Sequence, residues 1–268
     1  MGESEMAVDT YLDHARTCVH AEQEAIDAKL DAYETFMRRV RDLETEQTPS
    51  STAGTTTAGG ATHLSADGSG TDRCQTVRTA FDETIRPHSV ADVNGTESLL
   101  ETICEEFTDE IAVALAPTTA ASFTPELKQV VLAEARSRRS GAAALQNALD
   151  REDEYLTDAA EAVTDIIDWI VDANESPLTD LGFDALQQRY ETLASHRDRC
   201  EEVARDRQEF LQKTTNNGID AGVCHRSLIP YLYQDFPVDH PVLATVATLG
   251  DTCQECQRTV RDHLVRRV

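Results

Sequence analysis

The residues with the clearest capacity for chemistry lie near the C-terminus. Cys253 and Cys256 form a Cys-x-x-Cys pair, with Cys224 upstream and His263 downstream. A closed tetrahedral zinc site takes four Cys or His ligands, and Cys-x-x-Cys is a frequent half of such a site. The spacing therefore marks Cys224, Cys253, Cys256 and His263 as a candidate zinc site, and it predicts no other cofactor.

The same cysteine pair has a plainer interpretation. Cys253 and Cys256 fall at apolar positions of an amphipathic segment, where cysteine packs as a small hydrophobic residue. A redox pair or a disulfide is a third alternative, although a thioredoxin-like motif begins a helix that follows a strand. Buried packing is the favoured interpretation, and the zinc and redox alternatives stay open beside it.

Other catalytic patterns are missing from the sequence. It contains no Glu-x-x-His, which di-iron bundles require, and no His-Glu-x-x-His of a zinc protease. The Gly-rich stretch at residues 59–70 lacks a preceding strand and a following Lys-Ser or Lys-Thr, which excludes a phosphate-binding loop. His196 lies four residues before Cys200, but such a histidine is typical of a half-exposed seam position. We therefore expect a protein that is not an enzyme.

The composition is strongly acidic and poor in lysine. The chain has 268 residues and a net charge of −25, and its only lysines are Lys29, Lys128 and Lys213. This mixture is typical of the cytoplasm of a salt-accumulating archaeon, where a Debye length of about 3 Å makes surface charge a poor guide to partners. Arginine clusters are interleaved with acids, so no nucleic-acid partner is expected.

Neither export nor membrane insertion is expected. The segment from Met1 to Asp9 is acidic and has no apolar centre, unlike a signal peptide. The longest uncharged stretch, Ile111 to Pro125, is short and contains two prolines. Seven cysteines without an export signal indicate reduced thiols, so the expected location is cytoplasmic.

Helical periodicity dominates the sequence. Between Thr124 and Asp172, apolar residues recur every seven positions in two rows, and Glu152 interrupts the second row. This spacing predicts one long helix with a narrow buried seam, which would span about 73 Å. Thr124 followed by Pro125 predicts its N-terminus. The two rows are Ala142, Leu149, Leu156, Val163 and Ile170, and Leu145, Ala159 and Ile166.

A second long helix is predicted from Ser4 to Glu46, with Glu22 and Lys29 as interruptions of its seam. Shorter helices are predicted at residues 74–85, 99–115 and 228–233, and longer ones at 181–213 and from about 239 onward. Ser98 and Glu101 predict a capping box. The sequence predicts no strand. The seam residues of the second long helix are Leu12, Val19, Ile26, Tyr33 and Val40.

The predicted architecture is an all-α, elongated antiparallel helical bundle with long coiled-coil-like helices. Its parts are an N-terminal long helix (1–47), a flexible Thr/Gly/Ser linker (48–70) and a helical bundle (71–268). The long helices are expected to pack mostly antiparallel, because narrow seams need partners along their length. Whether the N-terminal helix packs against its own chain or another chain stays open.

Several blocks together resemble a haloarchaeal family of helical proteins that is classed as a domain of unknown function. The resemblance implies a halophilic archaeal source and a helical, coiled-coil-rich fold, and it carries no binding or catalytic residue. The blocks are Phe81 to Thr84, Glu106 to Ala112, Phe123 to Lys128, Arg205 to Gln208, Tyr231 to Tyr233 and Pro241 to Ala244.

The predicted function is that of a non-enzymatic scaffold, adaptor or regulatory interaction protein. It would bind a protein partner, or associate with itself, through its helical seams. The alternative is a metal-responsive or small-ligand-responsive sensor bundle that uses Cys224, Cys253, Cys256 and His263. Metal analysis of the purified protein distinguishes these two hypotheses.

Overall fold

The computed structural model describes residues 11–46, 72–89, 97–119, 121–216 and 225–266, and every regular element in these ranges is helical. The all-α bundle is therefore confirmed. None of the helices in these ranges is both long and apolar enough to cross a membrane. The α-helices are α1 (Tyr11–Asp42), α2 (Arg73–Thr84), α3 (Leu99–Glu106), α4 (Asp109–Leu115), α5 (Pro125–Asn174), α6 (Phe183–Asn216), α7 (His225–Leu232) and α8 (Pro241–Val265), and a 3₁₀ turn covers Arg86–His88.

The long helix predicted from Thr124 is α5, which has 50 residues. The Thr124 hydroxyl accepts a hydrogen bond from the Leu127 backbone N–H at 3.3 Å, which confirms the predicted cap. Leu149, Leu156 and Val163 of the first heptad row are buried. The seven-residue period therefore identified the face of α5 that packs inward.

The second predicted long helix is α1, although residues 4–10 lie outside the described part of the chain. Its five predicted seam residues are at most 7% exposed. The His20 ring lies 3.0 Å from the Asp153 carboxylate, and the Gln23 amide donates a hydrogen bond to Asp150 at 2.9 Å. Since these contacts advance along α1 as they recede along α5, the two helices run antiparallel here.

The segment predicted as one helix from residue 99 to 115 forms two helices, α3 and α4. Phe107 ends α3, and Thr108 takes extended backbone and caps α4 by accepting a hydrogen bond from the Ile111 N–H. Asp109 and Glu110 then lie in the first turn of α4, where negative charge is favourable. The single-helix prediction is wrong because this N-cap competes with continuation of α3. The capping box predicted at the start of α3 is present.

The structure divides into two compact units. The aromatic-core unit comprises Ala25–Ala143. In its centre the rings of Phe36, Phe81 and Phe107 contact one another, with centroids 5.4 to 6.1 Å apart. Lys128 donates hydrogen bonds to two backbone carbonyls at the end of α1, which lack partners within the helix itself.

The second unit, the long-helix unit, comprises Met1–Glu24 and Ala144–Val268. The hydroxyl of Tyr155 on α5 donates to the Val203 carbonyl of α6 at 2.9 Å, and the Trp169 ring packs on His196 further along. Helices α5 and α6 are therefore antiparallel. Helix α8 packs on another face of α6, where Arg197 donates to the side chain of Gln257 at 3.2 Å.

Candidate functional site

The candidate zinc site lies only partly within the described chain. Cys224 is outside it. Cys253 is fully buried on α8, whereas Cys256 and His263 are half-buried on the same helix. Among the residues that the structure describes, no group of three or more His, Cys, Asp or Glu side chains is arranged to hold a metal ion. The four-ligand zinc site therefore stays a prediction.

The environment of Cys253 favours a protonated, packed thiol. Burial raises the pKa of Cys253 to about 11, and interaction with the neighbouring Cys200 thiol acts in the same direction. Burial also raises the pKa of Cys200. A Cβ added at Gly250 would lie 3.8 Å from the Cys200 Cβ, so α6 and α8 approach closely here. Because the thiolate is the reactive form, these thiols are poor nucleophiles.

Glu152, which interrupts the α5 seam, has a buried partner on α6. Arg207 donates two hydrogen bonds to the Glu152 carboxylate, at 2.7 and 2.8 Å, and the two side chains are 1% and 0% exposed. The Tyr233 hydroxyl donates a third hydrogen bond to Glu152 at 2.6 Å. This geometry compensates charges whose burial alone would be very unfavourable.

Aromatic rings complete the surroundings of Arg207. Its guanidinium carbon lies 5.0 Å from the Tyr155 ring centre and 5.4 Å from that of Phe210, which are cation–π distances. Burial alone would lower the pKa of Arg207. The hydrogen bonds and the negative charge of Glu152 have the larger effect, so the pKa of Arg207 is raised. Burial, with Glu152, also raises the pKa of Tyr233. Arg207 therefore stays charged and Tyr233 stays a donor, so this cluster links helices rather than exchanging protons.

The interruptions of the α1 seam have partners too. In the aromatic-core unit, Lys29 donates to one oxygen of Glu106 at 2.9 Å and the Tyr33 hydroxyl donates to the other at 2.8 Å. Burial of Glu106 favours its neutral form, but Lys29 and these hydrogen bonds hold its pKa below the ordinary range. In the long-helix unit, the Tyr231 hydroxyl donates to Glu22 at 3.4 Å. Each of the three interruptions thus has a hydrogen-bond partner on another part of the chain.

A groove between α5 and α6, the α5–α6 groove, is the best candidate for a binding site. Its cavity is about 500 Å³ and its lining comes from these two helices. The floor consists of buried small and apolar side chains, namely Ala159, Ala162, Ile166 and Val203. This groove was not predictable from the sequence, because exposed acids on a helix look like an ordinary solvated face.

The rims of the α5–α6 groove are acidic. Asp158, Glu161 and Asp165 line the α5 side and Asp206 lines the α6 side, all of them exposed. None of the four forms an ion pair with another described residue. The lining includes Arg199, but its guanidinium pairs with Glu202 at 2.6 Å. The groove therefore carries uncompensated negative charge.

His196 also belongs to the lining of the groove. Its ring packs on Trp169 with centroids 4.9 Å apart, and burial lowers its pKa, which favours the neutral imidazole. The His196 Nε2 atom is buried and has no hydrogen-bond partner in the described chain. This nitrogen is therefore an unsatisfied polar atom inside the packing rather than a surface contact.

Comparison with known proteins gives a family but no activity. No curated protein and no solved structure is significantly similar to the chain. Residues 10–257 match the family described as domain of unknown function DUF7260, and the match runs from the start of α1 into the second half of α8. The expected resemblance to a family classed as a domain of unknown function is confirmed at that level. The chain belongs to the DUF7260 family.

Proposed function

We propose that the protein is a non-enzymatic interaction module, acting as a scaffold, adaptor or regulatory protein, and that it binds a protein partner through the α5–α6 groove. The observation that carries this proposal is the groove itself, whose floor of buried apolar side chains receives no third helix among the described elements. The space between two antiparallel helices is a natural seat for another helix.

The composition extends the proposal to a cellular setting. A net charge of −25 with three lysines in 268 residues supports a halophilic archaeal source and a cytoplasmic location. At molar salt the Debye length is about 3 Å, so distant charges contribute little to binding. The floor side chains are already at most 7% exposed, so docking would gain close packing there, and charges in direct contact would select the partner.

Site-specific photo-crosslinking in cells tests the proposal. A photoreactive phenylalanine analogue replaces Asp158 at the groove rim or, as a matched control, Asp198, an exposed aspartate on α6 that is not part of the groove lining. We expect one defined protein, identified by mass spectrometry, to be crosslinked at position 158 and not at position 198. Absence of an adduct at position 158, or identical adducts at both positions, would contradict the proposal.

A further inference from the structure

We infer that the α5–α6 groove takes a cationic amphipathic helix from a partner protein of a different kind. This inference rests on the proposed function and names the chemistry of the partner. Three features of the groove carry it: the length and shape of its floor, the spacing of its rim carboxylates, and the pairing of the lining cation Arg199 with Glu202.

The shape of the groove fits a helix. Its α5 wall runs from Tyr155 to Ile166, which at about 1.5 Å per residue is roughly 16 Å, or three turns of a docked helix. Ala159 and Ala162 have short side chains, so the backbone of a third helix can approach the floor closely. An added strand would need free backbone donors and acceptors, which the walls of two helices do not offer.

The charges of the groove select a basic helix. Asp158, Glu161 and Asp165 follow one another at intervals of three and four residues, so they lie on one face of α5. Asp206 faces the groove from α6. Lys or Arg side chains repeated at the same intervals along both edges of a docked helix would pair with these carboxylates. A neutral or acidic helix would leave them unpaired and partly desolvated.

The remaining polar groups of the lining also favour a basic partner. Arg199 is already paired with Glu202, and the Nε2 atom of His196 is buried. Lys and Arg side chains are donors only. They therefore complement the exposed carboxylates of the lining.

A second copy of this chain is a poorer occupant. The chain carries a net charge of −25, and its arginine clusters alternate with acids. Direct pairing with the rim carboxylates needs Lys or Arg along about three turns of a helix edge without intervening acids, and these clusters do not offer such an edge. Complementary charge therefore points to a partner with a basic helix.

Synthetic peptides about three turns long test the inference with the full-length protein. One peptide carries a Leu/Ala stripe flanked by Lys, a second has Glu in place of Lys, and a third has the Lys composition in scrambled order. Affinity is measured by fluorescence anisotropy at low and at molar salt, and circular dichroism verifies that the protein stays folded. We expect the patterned Lys peptide to bind at least about tenfold more tightly than either of the others.

Two charge-matched variants separate the groove from the acidic surface in general. The groove variant combines Asp158→Asn, Glu161→Gln, Asp165→Asn and Asp206→Asn. The control combines Asp198→Asn, Glu201→Gln, Asp251→Asn and Asp262→Asn, which are exposed carboxylates outside the groove lining. We expect the groove variant to lose about tenfold in affinity for the patterned Lys peptide and the control to stay within about twofold.

Equal losses in the two variants would overturn the inference, as would equal binding of the Glu or scrambled peptide, or an adduct between two copies of this chain at position 158. If position 158 crosslinks a partner in cells while the patterned Lys peptide does not bind, the inference is wrong and the proposed function stands. If neither experiment gives binding at the groove, both fail.

Discussion

Arg207 on α6 holds Glu152 on α5 in a two-pronged ion pair at which both side chains are almost completely buried. Each residue occupies a heptad position that is otherwise apolar, since Glu152 follows Leu145 by seven residues and Arg207 follows Cys200 by seven. One layer of the packing between these helices is thus made of complementary charges. Because a shifted alignment would bury both charges unpaired, we infer that the pair fixes the register of α5 against α6.

The stability of this pair can be measured by removing one partner. We expect Arg207→Met to lower the free energy of unfolding by about 3–5 kcal/mol, because it leaves Glu152 buried without a counter-charge. Arg199→Met is the control, since Arg199 and Glu202 form an exposed pair that contributes about 0–1 kcal/mol. In chemical denaturation, the double variant Glu152→Leu/Arg207→Met should recover much of the loss. A single variant as stable as the wild type would refute the register hypothesis.

Tyr233 contributes the third hydrogen bond to Glu152. Tyr233→Phe removes only the hydroxyl, which leaves a buried carboxylate oxygen with one donor fewer, and we expect a loss of about 1–3 kcal/mol in the free energy of unfolding. Tyr231→Phe is the matched control, because Tyr231 is 50% exposed and its hydrogen bond to Glu22 is long at 3.4 Å. Thermal denaturation compares the two variants, and similar losses would count against a special role of Tyr233.

Glu106 should make the stability of the protein depend on pH. Its pKa in the folded state lies below the ordinary value of 4.5, so its ionised form stabilises the fold above that value. This contribution is lost as the pH falls through the folded-state pKa. We expect Glu106→Gln to be less stable than the wild type near neutral pH and to lose less stability on acidification.

The measurement for Glu106 is a series of denaturant unfolding curves from neutral to acidic pH. Glu105→Gln is the control, since Glu105 is exposed and lies next to Glu106 in the sequence. Its acid profile should follow that of the wild type. Parallel profiles for Glu106→Gln and the wild type would show that Glu106 does not contribute to the acid sensitivity.

The thiols of Cys200 and Cys253 should resist alkylation in the folded protein. With a pKa of about 11, Cys253 is roughly one-thousandth thiolate near pH 8, and its side chain is fully buried. Iodoacetamide labelling followed by mass spectrometry should modify both cysteines only after denaturation, whereas the partly exposed Cys18 reacts sooner. Stoichiometric zinc that is lost in both Cys224→Ser and Cys253→Ser would contradict the packing interpretation and favour the zinc site.

The periodic part of the fold could be predicted from the sequence, because a seam of Leu12, Val19 and Ile26 at seven-residue intervals is compatible with one helical face only. The break at Thr108 could have been predicted as well, since Thr followed by Asp and Glu is an N-cap signal. Arg207 could also have been noticed, because it occupies a heptad position that is otherwise apolar. Its partner was not predictable, because pairing depends on which helices become neighbours.

The α5–α6 groove could not be predicted from the helical periodicity of the sequence. Asp158 and Asp165 have the same spacing as exposed acids elsewhere on the helices, and only the tertiary arrangement puts them beside a buried floor. The unpaired nitrogen of His196 is equally invisible in the sequence, since it depends on the packing of the ring against Trp169. Candidate sites formed by surface shape therefore required the three-dimensional structure.

Lys128 has a practical consequence for studying this protein. Its ammonium group reaches the carbonyls of Arg41 and Leu43 at 2.6 Å each, and Lys29, the other lysine whose side chain is described, is paired with Glu106. At these two lysines, amine-directed fluorophores, acetylating reagents and succinimide crosslinkers would react only by disrupting contacts that close the end of α1 or neutralise a buried acid. Conjugation through an introduced surface thiol would leave these contacts intact.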